Sequence, residues 1–252
     1  MSALNLLRDY GSDDTSDESD KDNSVILKKP KLPTPNLSGV SVVLSEEHVD
    51  DPSLHNGRTR TFSHVRGNWA TFIYVEYPNK EKLFKIIHKL YTVLTTIDES
   101  CIVCEDVHIS LSRTFVLKYH MIKSFTTSLQ KVLSNIERFD LNFDSVEVYC
   151  NEEETRTFLA LGVDAIGHGY LINIVKEIDN LLGDFKLPKF YENPSFHMSI
   201  LSVNGNKKEE ISRNLHYLND IFIHQTNKIV DPVNINKVNC KSGNKVYQYC
   251  IK

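Results

Sequence analysis

Alternating apolar and polar residues predict β-strands along much of the chain. In the stretch 70–77, Ile73 and Val75 fall on one face and Phe72 and Tyr74 on the other, which matches the two-residue period of a strand. Comparable stretches occur at 107–111, 145–150, 157–163, 196–201, 229–239 and 245–251. Polar turn residues at 151–154 and 242–244 join two neighbouring pairs of these strands.

Apolar residues spaced three and four apart predict four amphipathic helices between the strands. Their apolar positions run from Leu83 to Leu94, from Ile122 to Ile136, from Leu171 to Leu182 and from Ile211 to Ile221. The order strand, helix, strand, helix, strand therefore occurs twice. Because the connections are short, the pattern predicts one compact α+β body with two related lobes, and not two tethered domains.

The second strand of each half carries a histidine and a serine two residues apart. The two motifs are His108-Ile109-Ser110 and His197-Met198-Ser199. Side chains two positions apart in a strand point to the same face, so each histidine has a serine hydroxyl beside it. If a pseudo-twofold axis relates the two halves, both motifs face one cleft.

This arrangement predicts acid–base chemistry at a phosphate group. Histidine can accept or donate a proton near neutral pH without a large pKa shift, so His108 and His197 can act as a pair. The hydroxyls of Ser110 and Ser199 can donate hydrogen bonds to phosphate oxygens and stabilise the charge that develops there. A Ser-His-Asp hydrolase is the weaker interpretation, because no acidic third member lies near either motif.

The cysteines add a second, weaker candidate site. Cys101-x-x-Cys104 followed by His108 resembles part of a zinc site, but the other three cysteines supply no second closely spaced pair, and a structural zinc site needs four ligands. We therefore expect that the chain binds no metal and that its cysteine thiols are buried or have no chemical role. The cysteines are also few and odd in number, five in 252 residues, and do not indicate a disulfide framework, which favours a reducing compartment.

Charge separates the N-terminal segment from the rest of the chain. The 252 residues have a net charge of −4, and residues 1–50 hold five Lys and Arg against ten Asp and Glu, which leaves 24 against 23 in the remainder. We expect residues 1–56 to be a disordered acidic tail and residues 57–252 to be the folded domain. The cluster Lys28-Lys29-Pro30-Lys31 matches a short nuclear-localisation pattern, and a solvated basic patch is an equally good interpretation.

Membrane association is not predicted. No apolar run approaches the ~20 residues of a membrane helix, and the first residues are too acidic for a signal or transit peptide.

Residues around the second motif are candidates for nucleotide binding. Tyr191 lies in the loop that leads into the His197 strand, where an aromatic ring can stack on a nucleobase, and Asn193-Pro194 forms the turn that follows. Phe196 is expected in the core, because it precedes His197 on the opposite face of the strand. Candidate phosphate contacts, each with a solvated surface as its alternative, are Arg58, Arg60, Arg66, Arg156, Lys241 and Lys245.

The paired motifs and their surroundings resemble the 2H phosphoesterase superfamily, whose members act without a metal on RNA ends and cyclic phosphates. Within that superfamily the chain is similar to the exoribonucleases that shorten the 3′ oligouridine end of U6 small nuclear RNA. The resemblance begins at residue 57 and rests on 58–62 (RTRTF), 64–71 (HVRGNWAT), 108–112 (HISLS), 155–158 (TRTF), 190–199 (FYENPSFHMS) and 240–245 (CKSGNK).

The resemblance implies a fold and a catalytic pair. The fold would be a duplicated, two-lobed α+β fold with antiparallel sheets, flanking helices and a central cleft. His108 and His197 would be the catalytic residues, while Ser110 and Ser199 would bind the phosphate.

It also implies a pocket for the terminal nucleotide. Tyr191 would stack on the terminal uracil, and Asn193, Pro194 and Ser195 would line the pocket. Where the family often has Asp in this turn, the chain has Asn193, whose amide can hydrogen-bond a base or ribose but supplies no carboxylate.

The implied reaction needs no metal or other cofactor. The 2′-hydroxyl of the penultimate nucleotide would attack its own 3′-phosphate and leave a 2′,3′-cyclic phosphate, which some relatives open to a 3′-phosphate. RNA is the expected partner, a monomer the expected state and the nucleus the expected location. Because the two motifs are nearly symmetric, the sequence does not distinguish base from acid.

Two other functions fit the same motifs. One is a 2′,3′-cyclic phosphodiesterase or an RNA-end ligase-like enzyme of the same superfamily. The other is a non-catalytic RNA-binding module.

Overall fold

The structure is a computed structural model that describes residues 65–77, 80–229 and 232–252. The predicted acidic tail 1–56, its basic cluster 28–31 and the motif residues 58–64 lie outside the described residues. The domain boundary at residue 57 therefore stays a prediction.

The described residues contain eleven strands and five helices. The strands are β1 (Asn68–Glu76), β2 (Ile102–Val103), β3 (His108–Ser110), β4 (Phe115–Lys118), β5 (Phe139–Leu141), β6 (Phe143–Cys150), β7 (Arg156–Val163), β8 (His197–Asn204), β9 (Val233–Ile235), β10 (Lys237–Ser242) and β11 (Lys245–Cys250). The helices are α1 (Lys80–Ile97), α2 (Tyr119–Leu133), α3 (Ala165–Asp184), α4 (Lys208–Ser212) and α5 (Leu215–Ile229). Within the described ranges, no helix combines the length and apolar character that a bilayer span requires.

The strands form an antiparallel sheet that is symmetric about the two histidine strands. Seven strands follow one another in the order β11-β10-β1-β3-β8-β7-β6, while β2 pairs with β8, β4 pairs with β1, and β5 and β9 form a separate small sheet. The two halves of the chain exchange their last strands. β6, from the first half, pairs with β7, and β10, from the second half, pairs with β1. Each lobe is therefore built from both halves of the chain.

Alternation along the strands separates a buried face from a cleft face. Ile73, Ile109 and Met198 are at most 2% exposed, and they share one hydrophobic core with helix residues such as Leu90 and Phe125. The intervening residues of the same strands point to the opposite face. The helices thus cover one face of the sheet and leave the other open as a cleft, which is the predicted α+β architecture.

Element boundaries aside, the structure differs from the predicted elements in three respects. The predicted helix at 211–221 is divided into α4 and α5 by a turn at Arg213 and Asn214, after which the Asn214 carbonyl accepts the Leu218 N–H at 3.0 Å. The strand predicted at 229–239 is wrong at its start, since α5 continues to Ile229 and β9 begins only at Val233. Strands β2, β4 and β5 were not predicted, because runs of two to four residues are too short to show a period.

The turn between β10 and β11 depends on a glycine that packs on Trp69. Gly243 has a φ of +57°, and a Cβ at this position would lie 2.8 Å from Trp69 Cζ3. Gly205 also has a left-handed backbone, with a φ of +75°, but among the described residues no atom beyond its chain neighbours lies within 4 Å of its Cβ position. A comparison of the two positions therefore distinguishes the cost of a left-handed backbone from the cost of a clash with the Trp69 ring.

We expect Gly205→Ala to lower the free energy of unfolding by about 1–2 kcal/mol, because a side chain disfavours the left-handed backbone. Gly243→Ala should lose a further ~1–3 kcal/mol, because the methyl group also displaces the Trp69 ring. Urea unfolding of both variants beside the wild type measures the difference. Equal losses in the two variants would show that contact with Trp69 does not constrain this turn.

Candidate active site

The pairing of β3 with β8 brings the two histidine motifs together. Ile109 lies opposite Met198 in this antiparallel pair. The neighbouring positions then place Ser110 beside His197 and His108 beside Ser199. Since Ile109 and Met198 are buried, all four polar side chains point to the cleft face. The sequence predicted that the four side chains share one face. The structure adds that each histidine lies beside the serine of the other motif.

These four side chains line a cleft of about 680 Å³. Of the predicted phosphate contacts within the described residues, Arg156 and Lys241 line this cleft, whereas Arg66 and Lys245 do not. The aromatic rings of Phe72 and Tyr74 contribute further lining on the β1 side. Acidic lining comes from Glu76, Glu105 and Asp106. The cleft therefore combines aromatic surface, two cations and three carboxylates around the histidine pair.

Both imidazoles are held in the same way by the backbone two residues upstream. His108 Nδ1 lies 2.8 Å from the carbonyl oxygen of Asp106, and His197 Nδ1 lies 2.8 Å from that of Ser195. A carbonyl oxygen only accepts, so Nδ1 must carry the proton in each ring. In the neutral tautomer so assigned, Nε2 carries the free lone pair. Each ring is thus able to exchange a proton through Nε2.

Burial lowers the pKa of both histidines. For His108, the Asp106 carbonyl hydrogen bond and the charges of Asp106 and Glu76 oppose this lowering, while Lys241 adds to it. For His197, the hydrogen bond to Ser195 and the charge of Glu147 oppose it, while His108 adds to it. The pair is therefore largely neutral at pH 7 when the cleft is empty, and bound anions would favour its protonation.

The serine hydroxyls of the two motifs are available to a ligand. Ser110 and Ser199 are half-buried, and within the described residues no side chain or backbone group is hydrogen-bonded to either hydroxyl. By contrast, the Ser112 hydroxyl, two residues further along, accepts the backbone N–H of Ile73 at 2.9 Å. Ser112 thus belongs to the strand pairing, while Ser110 and Ser199 can donate to phosphate oxygens.

An aromatic ring that the sequence analysis did not single out stacks on His197. Tyr149 of β6 lies with its ring centroid 3.7 Å from that of His197, at an interplanar angle of 16°. Its hydroxyl is hydrogen-bonded to Glu147 and, at 2.6 Å, to Ser195 Oγ. Alternation along β6 places Tyr149 and Glu147 on one face, but it does not reveal that a side chain reaches across β7 to β8.

The predicted base-stacking residue lies beside the cleft and is already covered by a cation. The ring of Tyr191 is 49% exposed, and the guanidinium carbon of Arg113 lies 4.7 Å from its centroid. Glu152 holds both partners, since it accepts the Tyr191 hydroxyl at 3.4 Å and pairs with Arg113 at 3.1 Å. Arg113 and Glu152 were not predicted, because the loops that carry them are distant in sequence.

The turn between Tyr191 and His197 is tied to the neighbouring elements. The Pro194 carbonyl accepts the Nε2–H of His168 at 3.1 Å, Ser195 contacts Tyr149, and Asn193 is exposed. Tyr191, Asn193, Pro194 and Ser195 are absent from the lining of the 680 Å³ cleft. Of these four residues, Ser195 contacts His197, through its carbonyl oxygen.

The zinc interpretation has no structural counterpart in the described part of the chain. No group of three or more His, Cys, Asp or Glu side chains there is arranged to bind a metal ion. Cys101 is buried, and burial raises the pKa of its thiol to about 12, which keeps it protonated and unreactive.

The chain is similar to known proteins in family, sequence and fold. A family model named HVSL, described as an uncharacterised conserved protein, matches residues 30–250. U6 snRNA phosphodiesterase 1 of Mus musculus is 35% identical, over 88% of this chain and 84% of that protein. U6 snRNA phosphodiesterase 1 of Drosophila melanogaster is 34% identical, over 98% of this chain and 99% of that protein.

Two solved structures share the fold. Usb1 of Kluyveromyces marxianus covers 72% of this chain and 97% of its own, with a TM-score of 0.54 at 14% identity. The same protein with uridine monophosphate covers 72% and 98%, with a TM-score of 0.53 at 13% identity.

The neutral histidine pair predicts a pH-dependent stability. The folded-state pKa of each ring lies below its ordinary value of 6.5, so below that pH the unfolded chain binds more protons than the folded one. The free energy of unfolding should therefore fall as the pH drops through about 6.5. Urea unfolding at pH values between about 5 and 8 measures this slope.

The double variant His108→Gln/His197→Gln is the control. It keeps every other titrating group and should show a shallower slope than the wild type. The same slope in both proteins would contradict the assigned burial of the two rings.

Proposed function

The chain belongs to the U6 small nuclear RNA phosphodiesterase family of 2H phosphoesterases, and on this premise we propose that it is a 3′–5′ exoribonuclease that shortens the oligouridine end of U6 small nuclear RNA. One observation carries the proposal. The two H-x-S motifs cross on a single cleft face, so that two proton-exchanging nitrogens and two hydroxyls surround one position. That position suits the phosphorus of an RNA linkage.

The first step is transesterification within the RNA. Nε2 of one histidine, His108 or His197, takes the proton from the 2′-hydroxyl of the penultimate nucleotide. The 2′-oxygen bonds to the adjacent phosphorus as the bond from phosphorus to the 5′-oxygen of the terminal nucleoside breaks. The other histidine, protonated at Nε2, gives its proton to that 5′-oxygen. The terminal nucleoside leaves, and the shortened RNA ends in a 2′,3′-cyclic phosphate.

The serines stabilise the charge that builds up at phosphorus. Ser110 and Ser199 can each donate one hydrogen bond to a non-bridging oxygen from opposite sides of the pseudo-twofold axis. The phosphate itself favours the protonated form of the neighbouring imidazole. Substrate binding therefore favours the protonated histidine that acts as the acid, a form that burial in the empty cleft disfavours. We expect the reaction to need no metal.

Tyr191 would hold the terminal base. Aromatic side chains stack on bases in single strands, and one face of the Tyr191 ring is contacted by Arg113. A planar guanidinium and a planar base compete for the same ring face. An arriving uracil would displace Arg113 or be enclosed between it and Tyr191, with Asn193, Pro194 and Ser195 beside the sugar.

We also infer that the chain acts in the nucleus and as a monomer. Action in the nucleus is supported by the U6 snRNA for which the relatives are named. The basic pattern at 28–31 would serve as a nuclear import signal.

We expect His108→Ala and His197→Ala each to lower the rate of shortening of a 5′-labelled oligouridine by ~10²–10⁴-fold, because each removes one proton-transfer group. The wild type should shorten the RNA stepwise from the 3′ end, show a bell-shaped pH–rate profile and keep its activity in EDTA. End-group analysis should find the cyclic phosphate.

The same assay separates the alternatives. Strict dependence on a divalent ion would contradict the mechanism. Hydrolysis of a 2′,3′-cyclic end without shortening would favour a cyclic phosphodiesterase. Binding that leaves the RNA intact in wild type and variants alike would favour a non-catalytic module.

Tyr191→Ala tests the base pocket. Loss of a stacked base is worth ~1–3 kcal/mol, so kcat/KM for oligouridine should fall about 10–100-fold. Tyr191→Phe keeps the ring and should retain most of the activity. Steady-state kinetics of both variants measure the effect, and an equal loss in Phe and Ala variants would argue against stacking.

A further inference from the structure

A polar chain outside the two motifs runs beside His197. It consists of Ser195, Tyr149 and Glu147. The hydroxyl proton of Tyr149 goes to the Glu147 carboxylate, which can only accept. The Ser195 hydroxyl must then donate to the Tyr149 oxygen, at 2.6 Å. The chain is thus directed from serine through tyrosine to carboxylate.

We propose that Tyr149 and Glu147 are positioning residues for His197, which fix the plane of its imidazole and hold a carboxylate beside it. This inference rests on the proposed function, since it assigns these residues a part in the same reaction.

The ring of His197 is held on its face and on its edge. Tyr149 covers the face, with centroids 3.7 Å apart and the planes nearly parallel at 16°. The Ser195 carbonyl accepts Nδ1–H at the edge, at 2.8 Å. Ser195 joins the two restraints, because its hydroxyl also holds Tyr149. The imidazole therefore cannot rotate without breaking the stack or the Nδ1 hydrogen bond, and Nε2 keeps its direction.

A missing side chain makes room for the carboxylate. Gly162 of β7 lies directly opposite His197 in β8. A Cβ at Gly162 would come within 2.7 Å of Glu147 Oε1 and would also meet Ser145 Oγ. The carboxylate of Glu147 thus occupies the space that a side chain next to His197 would otherwise fill.

The charge environment makes the two histidines unequal. His197 faces Glu147 from β6 and His108 from β3. The charged groups that face His108 are Asp106, Glu76 and Lys241. Burial lowers the pKa of His197, and Glu147 opposes that lowering. Loss of the Glu147 charge alone should therefore lower the pKa of His197 further, with little effect on His108.

The pH–rate profile tests this expectation. Glu147→Gln keeps the shape of the side chain but loses its charge. One limb of the bell-shaped pH–rate profile should then move to lower pH while the other limb stays in place. Glu147→Asp retains the charge and should restore the limb. NMR titration of the His197 ring in the same variants provides a readout that needs no turnover.

Tyr149→Phe tests the positioning of the ring. It keeps the stack but breaks the links to Ser195 and Glu147, so kcat on oligouridine should fall about 10-fold with KM changed less than ~2-fold. Tyr149→Leu also removes the stack and should lose ~10²-fold in kcat. Thermal unfolding of each variant separates these effects from loss of the fold.

Matched controls lie on distant exposed surfaces. Glu137→Gln and Tyr217→Phe make the same chemical changes away from the cleft and should leave both limbs and kcat as in the wild type. If neither limb moves in Glu147→Gln, if both move together, or if Tyr149→Phe keeps full kcat, the inference is overturned. An inactive wild type would instead overturn the proposed function, and the NMR titration would still test the placement of Glu147.

Discussion

The register between β3 and β8 is the constraint on which the site depends. With Ile109 opposite Met198, each histidine stands beside the serine of the other motif. A slip of one residue would turn one motif into the core. A slip of two residues would keep the faces but set either the two histidines or the two serines directly opposite each other, depending on its direction. The buried pair Ile109 and Met198 therefore does more than fill the core, because its packing selects the arrangement in which imidazole and hydroxyl groups alternate on the cleft face.

Within that frame, burial and backbone hydrogen bonds act together on the imidazoles. The carbonyl groups of Asp106 and Ser195 select one tautomer in both rings, and burial favours the neutral form of each. A neutral pair contains two bases and no acid. A bound phosphate would favour the protonated form of a neighbouring imidazole, whereas burial in the empty cleft disfavours it.

Much of this could be predicted from local patterns, and what could not depends on distant contacts. Alternation placed His108 and Ser110 on one face, and likewise His197 and Ser199, because a strand's period is local. The β3–β8 register could not be predicted, since the two strands are far apart in sequence and a three-residue strand carries little pairing information. Tyr149 was missed for the same reason: its stack on His197 crosses a whole strand. The break between α4 and α5 was missed because the apolar helical spacing continues across it.

The exchange of strands between the halves has a consequence for how the protein is made. Thr71 of β1 donates a hydrogen bond to Ser242 of β10, 171 residues later. At a synthesis rate of ~5–20 residues per second, β1 waits about 10–30 s for its partner to be translated. During that time one edge of β1 is open to other strands. The first lobe is therefore completed only after β10, from the second half of the chain, has been synthesised.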